Sequence, residues 1–121
     1  MTENTTAQTC LESAAFDYSI RIAELVKWMR ETGNSFPLTD RLLVCGTEIG
    51  LACRELENEE GTGFMETVNS ALSRLREADY ITQIAVTGGY LTKMQSVHIR
   101  KDGNEIAKVL DVIKNREEKT K

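Results

Sequence analysis

One histidine, three cysteines and scattered carboxylates are the side chains from which this 121-residue chain would have to build any catalytic or metal centre. A di-metal carboxylate bundle needs two Glu-x-x-His motifs. His98 is the only histidine, and Gln95 stands where its glutamate would have to be. Structural zinc takes four Cys or His ligands, whereas Cys10, Cys45 and Cys53 are scattered and form no Cys-x-x-Cys pair. His98 therefore reads as a surface or boundary residue. A Cys–His nucleophile pair would need a thiolate, but Cys45 and Cys53 fall on or beside an apolar stripe, where a thiol is inert. No serine sits in a Gly-x-Ser-x-Gly context. The carboxylates mostly lie opposite the apolar stripes, on solvated faces. No enzyme, no cofactor and no metal is expected.

Two other groupings could carry a role. Arg54 and Glu55 end the second expected helix, and Arg74, Arg76 and Glu77 lie midway along the third. If those helices pack antiparallel, some of these groups could meet in an inter-helix or inter-subunit ion-pair network. Otherwise they are exposed pairs worth about 0–1 kcal/mol each. Gly46 and Gly50 sit one turn apart inside the second helix, each costing roughly 1 kcal/mol of helix propensity. The spacing points to close approach by a neighbouring backbone. A phosphate-cradling loop is the alternative, but no Gly-x-Gly or Gly-Lys-Thr/Ser pattern accompanies them.

Composition narrows the class of partner. With 15 basic and 19 acidic side chains the formal net charge is −4, which does not attract phosphate backbones. Nucleic acid is thus possible only through a local basic surface, such as Arg41, Arg54, Arg74 and Arg76, or the tail with Lys114, Arg116, Lys119 and Lys121. On one helix, Cys45 and Cys53 would lie about 12 Å apart along the axis, too far for a disulfide. No segment approaches the ~20 apolar residues of a membrane span, and no basic-then-apolar export signal opens the chain. The expectation is a cytoplasmic protein with no membrane contact.

The elements that must position these residues follow from periodicity. Residues 1–10 are polar, Thr-rich and aperiodic, and are expected to form a disordered tail before a bundle domain over 11–118. Ala15, Tyr18, Ile22, Leu25 and Met29 recur at intervals of three and four, the mark of one helical stripe. Gly33-Asn34 and Pro37 stop that helix. The second opens near Leu38-Thr39 with Thr39 as its cap, and its stripe is Leu42, Cys45, Ile49, Ala52 and Leu56. A short acidic connection, residues 57–63, leads to the third. There Phe64, Val68, Ala71, Leu75, Ala78, Thr82 and Ala85 keep a strict four-three alternation, the seam of a coiled-coil-like bundle. Gly88-Gly89 ends it, and Thr92 with Gln95 forms a capping box for a fourth helix. That helix is either continuous through Gly103 or kinked near Asp102-Gly103 before Ile106, Leu110 and Ile113 resume the stripe. Short connections make successive helices antiparallel neighbours, so the fold expected is all-α, an antiparallel up-down-up-down four-helix bundle. Flanking apolar residues, Leu43, Val44, Leu72 and Ile81, are ones a single bundle need not cover.

Leu38 to Leu56, with Gly46-Thr47-Glu48-Ile49-Gly50 and Arg54-Glu55, resembles the second helix of the four helix bundle protein family. Members are encoded in intervening sequences of bacterial 23S rRNA genes and elsewhere in bacterial genomes. Phe64, Ala71-Leu72 and Glu77 keep that family's third-helix spacing, and Gly89-Tyr90-Leu91 matches its close. The resemblance runs from about Phe16 to Lys114, with Arg74 where the family carries an acidic or small residue. It implies a homopentameric ring and kinship with the accessory variability determinant proteins of diversity-generating retroelements. Those relatives are strongly basic and bind a reverse transcriptase and nucleic acid; this acidic chain does not share the basis of that activity. The function expected is a non-enzymatic oligomeric bundle acting as a scaffold or accessory protein-interaction module. The alternative is an RNA- or DNA-binding accessory protein.

Overall fold

The computed structural model describes residues 2–33, 35–56 and 61–119, with side chains described over 10–33, 35–56 and 63–118. Four helices, α1 (Thr2–Glu31), α2 (Thr39–Glu55), α3 (Gly61–Thr87) and α4 (Lys93–Lys119), form an all-α antiparallel up-down-up-down bundle. Each helix packs on its neighbours in sequence, α1 closes the square against α4, and neither diagonal pair approaches among the described residues. The tail expected over 1–10 falls on residues whose side chains, up to 9, lie outside the described ones; the backbone is helical from Thr2. Asn34 and residues 57–60 of the acidic connection also lie outside the described residues.

Local chemistry accounts for the helix ends. Gly33 follows α1 with φ of 77°, a left-handed conformation that glycine adopts at little cost, and it turns the chain out of the helix. Gly89 repeats the device after α3 with φ of 82°. Its amide donates to Val86 O (3.1 Å), and the Tyr90 amide donates to Ala85 O (2.8 Å), a Schellman closure of the last turn. At the start of α4 the Thr92 amide donates to Gln95 Oε1 (2.8 Å) and the Gln95 amide to Thr92 Oγ1 (3.1 Å). That capping box satisfies two amides that no helical carbonyl can reach. The second helix departs from expectation. Leu38 is its N-cap, no side chain caps it, and Thr39 is already its first helical residue, buried. Thr39 packs into the core, and its amide donates to Phe36 O (3.4 Å). Phe36 and Tyr90 pack with ring centres 4.8 Å apart and planes tilted by 45°, tying the α1–α2 and α3–α4 connections together at one end of the bundle.

The inner faces meet in one core. All seven seam residues of α3, from Phe64 to Ala85, are buried, and the Thr82 hydroxyl within that seam donates to Ala78 O (2.8 Å). A polar group is therefore carried inside at no cost in unmet hydrogen bonds. On α1 the stripe runs through Val26, buried, where the alternation pointed to Leu25, which is half-buried. On α2 it runs through Cys53 in place of Ala52. A straight helix turns with a period of 3.6 residues, so a strict heptad alternation drifts about 20° per heptad from the true inner face. Leu72 and Ile81 are also buried, because α3 packs on both α2 and α4 and its covered arc is wider than one seam. Val44 stays about half exposed. Helix α4 passes through Gly103 without interruption, and a Cβ there would lie 3.4 Å from the Tyr18 ring edge and hydroxyl, an ordinary contact.

Thr92→Ala removes one arm of the capping box and should lower unfolding free energy by about 1 kcal/mol, read from the urea midpoint with helicity at low denaturant unchanged.

Candidate functional site

The five charged candidates occupy four places. Arg54 reaches from α2 to α1, where its Nε donates to Glu12 Oε1 (2.9 Å) and its guanidinium lies 5.9 Å from the centre of the Phe16 ring. Glu55 lies on the opposite flank of α2, in a groove shared with Glu48 and with Glu66 of α3. Arg74 bonds Glu77 one turn along α3 (2.5 Å) and approaches Glu48 of α2 (3.6 Å). Arg76 projects from another face of α3, into a cleft against α4. In an antiparallel hairpin the end of α2 faces the start of α3. Arg74 and Glu77 lie ten residues or more beyond Phe64, at least about 15 Å along the axis, so they meet Arg41 and Glu48 and not Arg54 or Glu55.

Glu77 is the centre of the inter-helix pairing. It bonds Arg41 of α2 as well as Arg74, and its charge reaches the Cys45 thiol, one turn from Arg41. Bonding to Arg41 first, then to Arg74, holds its carboxyl below the usual carboxylate range, against the effect of burial. The sequence offers Arg41 for a basic surface and Glu48 as part of a helix motif, but neither as a partner of Glu77 or Arg74, and it gives Glu12 no role. For the first two a signal exists, since Arg41, Cys45 and Glu48 follow at intervals of four and three and share one face of α2. Glu12 could be found only with the register of α1 against α2 in hand.

The α1–α2 crossing is built on the two glycines. A Cβ at Gly46 would lie 3.0 Å from Ile22 Cγ2 and 3.1 Å from Ile22 Cβ, and one at Gly50 would lie 2.5 Å from Ser19 Oγ. The Ser19 hydroxyl donates to Gly46 O (2.6 Å) and contacts Ala15 O (3.0 Å). A side-chain hydroxyl of α1 therefore touches the backbone of α2, where any larger residue would hold the helices apart. Just outside this crossing, Phe16, Thr47, Gly50 and Leu51 line a shallow groove with Glu12 and Arg54 at its rim.

The groups able to do chemistry are dispersed. Cys45 and Cys53 are buried and Cys10 is exposed, all free thiols. Burial pushes the Cys45 thiol up to about 11, helped by the Glu77 carboxylate, and burial alone pushes Cys53 up to about 12. His98 is exposed. Among the described residues no group of three or more His, Cys, Asp or Glu side chains could hold a metal ion. The α3–α4 cleft has a volume of about 150 Å³ and is lined by Tyr18, Arg76 and Asp111, with Asp79 engaged by Arg100 (2.8 Å). Small-molecule sites usually enclose about 300–1,000 Å³. Tyr18 itself is buried, and that burial raises its phenol above the ordinary range.

The bundle is similar in fold to a crystal structure from Bacteroides thetaiotaomicron, a protein of unknown function from the S23 ribosomal protein family. The TM-score is 0.85 at 26% sequence identity, covering 90% of this chain and 98% of that one. It is a shared four-helix architecture. No family profile matches this chain, and no curated protein matches it. No helix among the described residues is long and apolar enough to cross a membrane.

Gly46→Ala should destabilise the protein by about 1–3 kcal/mol through overpacking, despite the roughly 1 kcal/mol that alanine adds to helix propensity. Because the obstacle is Ile22, the Gly46→Ala/Ile22→Ala double variant should lose less than the sum of the two single losses; strict additivity would contradict the close crossing. Thiol titration of the native protein should show Cys10 reacting at once and Cys45 and Cys53 only on unfolding. Both buried thiols have raised folded values, so their contribution to stability is whole below the unfolded thiol range near 9.0. It falls as pH rises through 11 to 12, measurable as an alkaline drop in the urea midpoint.

Proposed function

We propose that this chain is a non-enzymatic bundle that associates with copies of itself and serves as a scaffold or accessory module for another protein. What supports the reading is the outer surface beside the α1–α2 crossing. Phe16 and Leu51, each about half exposed, line the same groove, with Ile20 and Val44 exposed on neighbouring turns. Withdrawing a large apolar side chain from water contributes about 1.5–3 kcal/mol, so a partner that covers this surface gains from each of these residues. The groups that could do chemistry do not converge, and the buried thiols suit a reducing cytoplasm.

The resemblance to the four helix bundle protein family supports a homopentameric ring as the assembled form, with residues 11–118 as its folded unit. The similar Bacteroides protein is itself of unknown function and brings no activity with it. Nucleic-acid binding is the weaker reading. Of the arginines that could form a local basic surface, Arg41 and Arg74 are engaged by Glu77 and Arg54 by Glu12, so their charge is largely spent within the bundle.

Light scattering coupled to size exclusion, at micromolar concentration, tests self-association. The expected mass is a multiple of 13.6 kDa, about 68 kDa for five copies. A monomer mass across the concentration range would contradict the proposal.

A further inference from the structure

Two outer faces of the bundle carry opposite charge around exposed apolar side chains. On α2, Val44, Glu48, Leu51 and Glu55 follow at intervals of four, three and four, so they form one outward stripe. Val44 is 52% exposed and Leu51 51%. With Glu66 of α3, the stripe borders a groove that no Lys or Arg lines. Arg74 approaches Glu48 at one end, and no cation pairs with Glu55 or Glu66 among the described residues.

The complementary chemistry lies on α4. Met94, Val97, Lys101 and Lys108 share its outer side, with Met94 78% and Val97 51% exposed. Lys93 and Arg100 flank them, and Glu105 is the carboxylate in this face. Arg100 is engaged by Asp79. Lys93, Lys101 and Lys108 have no ion-pair partner among the described residues. Lys101 and Lys108 are seven residues apart, as are Glu48 and Glu55, so both charge pairs span two turns, about 10.5 Å.

We infer that the acidic α2–α3 groove, with Leu51 at its centre, receives the basic α4 face of a second copy of this chain in a head-to-tail contact. The inference rests on the proposed self-association and names the surfaces that produce it. Helices α2 and α4 do not approach each other within one bundle, so the α4 face reaches the groove only from another molecule. Groove against groove would oppose Glu48, Glu55 and Glu66 to their own copies, and α4 against α4 would oppose lysines; like charges across an interface exclude such pairings. A contact between two different faces of the same chain leaves each copy able to give and receive. It closes into a ring when the rotation between neighbours allows.

Charge reversal tests the assignment at residues that take no part in the core. Glu48→Lys/Glu55→Lys and Lys101→Glu/Lys108→Glu should each keep wild-type helicity by circular dichroism and weaken association by about tenfold or more. A chain carrying all four substitutions restores opposite charge across the contact and should recover the wild-type mass. An assembled wild type whose mass neither reversal changes, or a fourfold variant no better than the two double variants, overturns the face assignment and leaves self-association standing. A monomeric wild type overturns both, and would leave the groove to a basic helix of another protein.

Discussion

Where α1 crosses α2, Ile22 packs against Gly46 so closely that a single added carbon would meet it at 3.0 Å. The Ser19 hydroxyl bonds the Gly46 carbonyl across the same gap. This contact sets how near the two helices come, and much else follows from it. Helices separated by ordinary side chains lie about 8–10 Å apart; glycines at successive turns allow the near end of that range. The close crossing brings Phe16 and Leu51 to the two edges of one shallow groove and lets Arg54 reach Glu12 on the neighbouring helix. The propensity lost at two glycines thus purchases an inter-helix geometry that alanine could not give.

Register between α2 and α3 is set differently. There the apolar seam repeats every heptad along α3, so apolar patterning alone names no single register. Glu77, bonded to Arg41 and Arg74 with the Cys45 thiol behind it, distinguishes the native register from its neighbours. Partly exposed ion pairs contribute little stability, so specifying alignment is the larger consequence. With the inner faces filled and these charges engaged, the apolar side chains left on the outer faces are what the molecule can offer to others.

Legibility in the sequence followed the range of the interaction. The α3 seam, the left-handed glycines at 33 and 89 and the Thr92–Gln95 box are set by residues within a turn or two, and their chemistry could be read in order along the chain. The inner faces of α1 and α2 were read one residue off at Leu25 and Ala52, because a 3.5-residue beat was laid on a 3.6-residue helix. Leu72 and Ile81 were placed at the margin because their cover comes from two different helices, which no single stripe encodes. Thr39 has the residue type of a cap, but burial in the core claimed it. Arg54, Glu55, Arg74, Arg76 and Glu77 could be recognised as charged helix positions, yet which of them meet depends on the height at which α2 stands against α3. That height is a tertiary quantity, and so are the pairings it supplies, Arg41 with Glu77 and Glu48 with Arg74; the register of α1 against α2 likewise supplies Glu12 to Arg54.

Native-state amide hydrogen exchange across Gly46 to Cys53 is the most direct measure of the α1–α2 crossing. A tight crossing predicts that these amides exchange only through global unfolding, with protection matching the unfolding free energy and equal to that of the Val68–Ala78 stretch of α3. Exchange through local opening in this part of α2, while α3 remains protected, would show that the glycines loosen the helix and do not dock it, and would contradict the account.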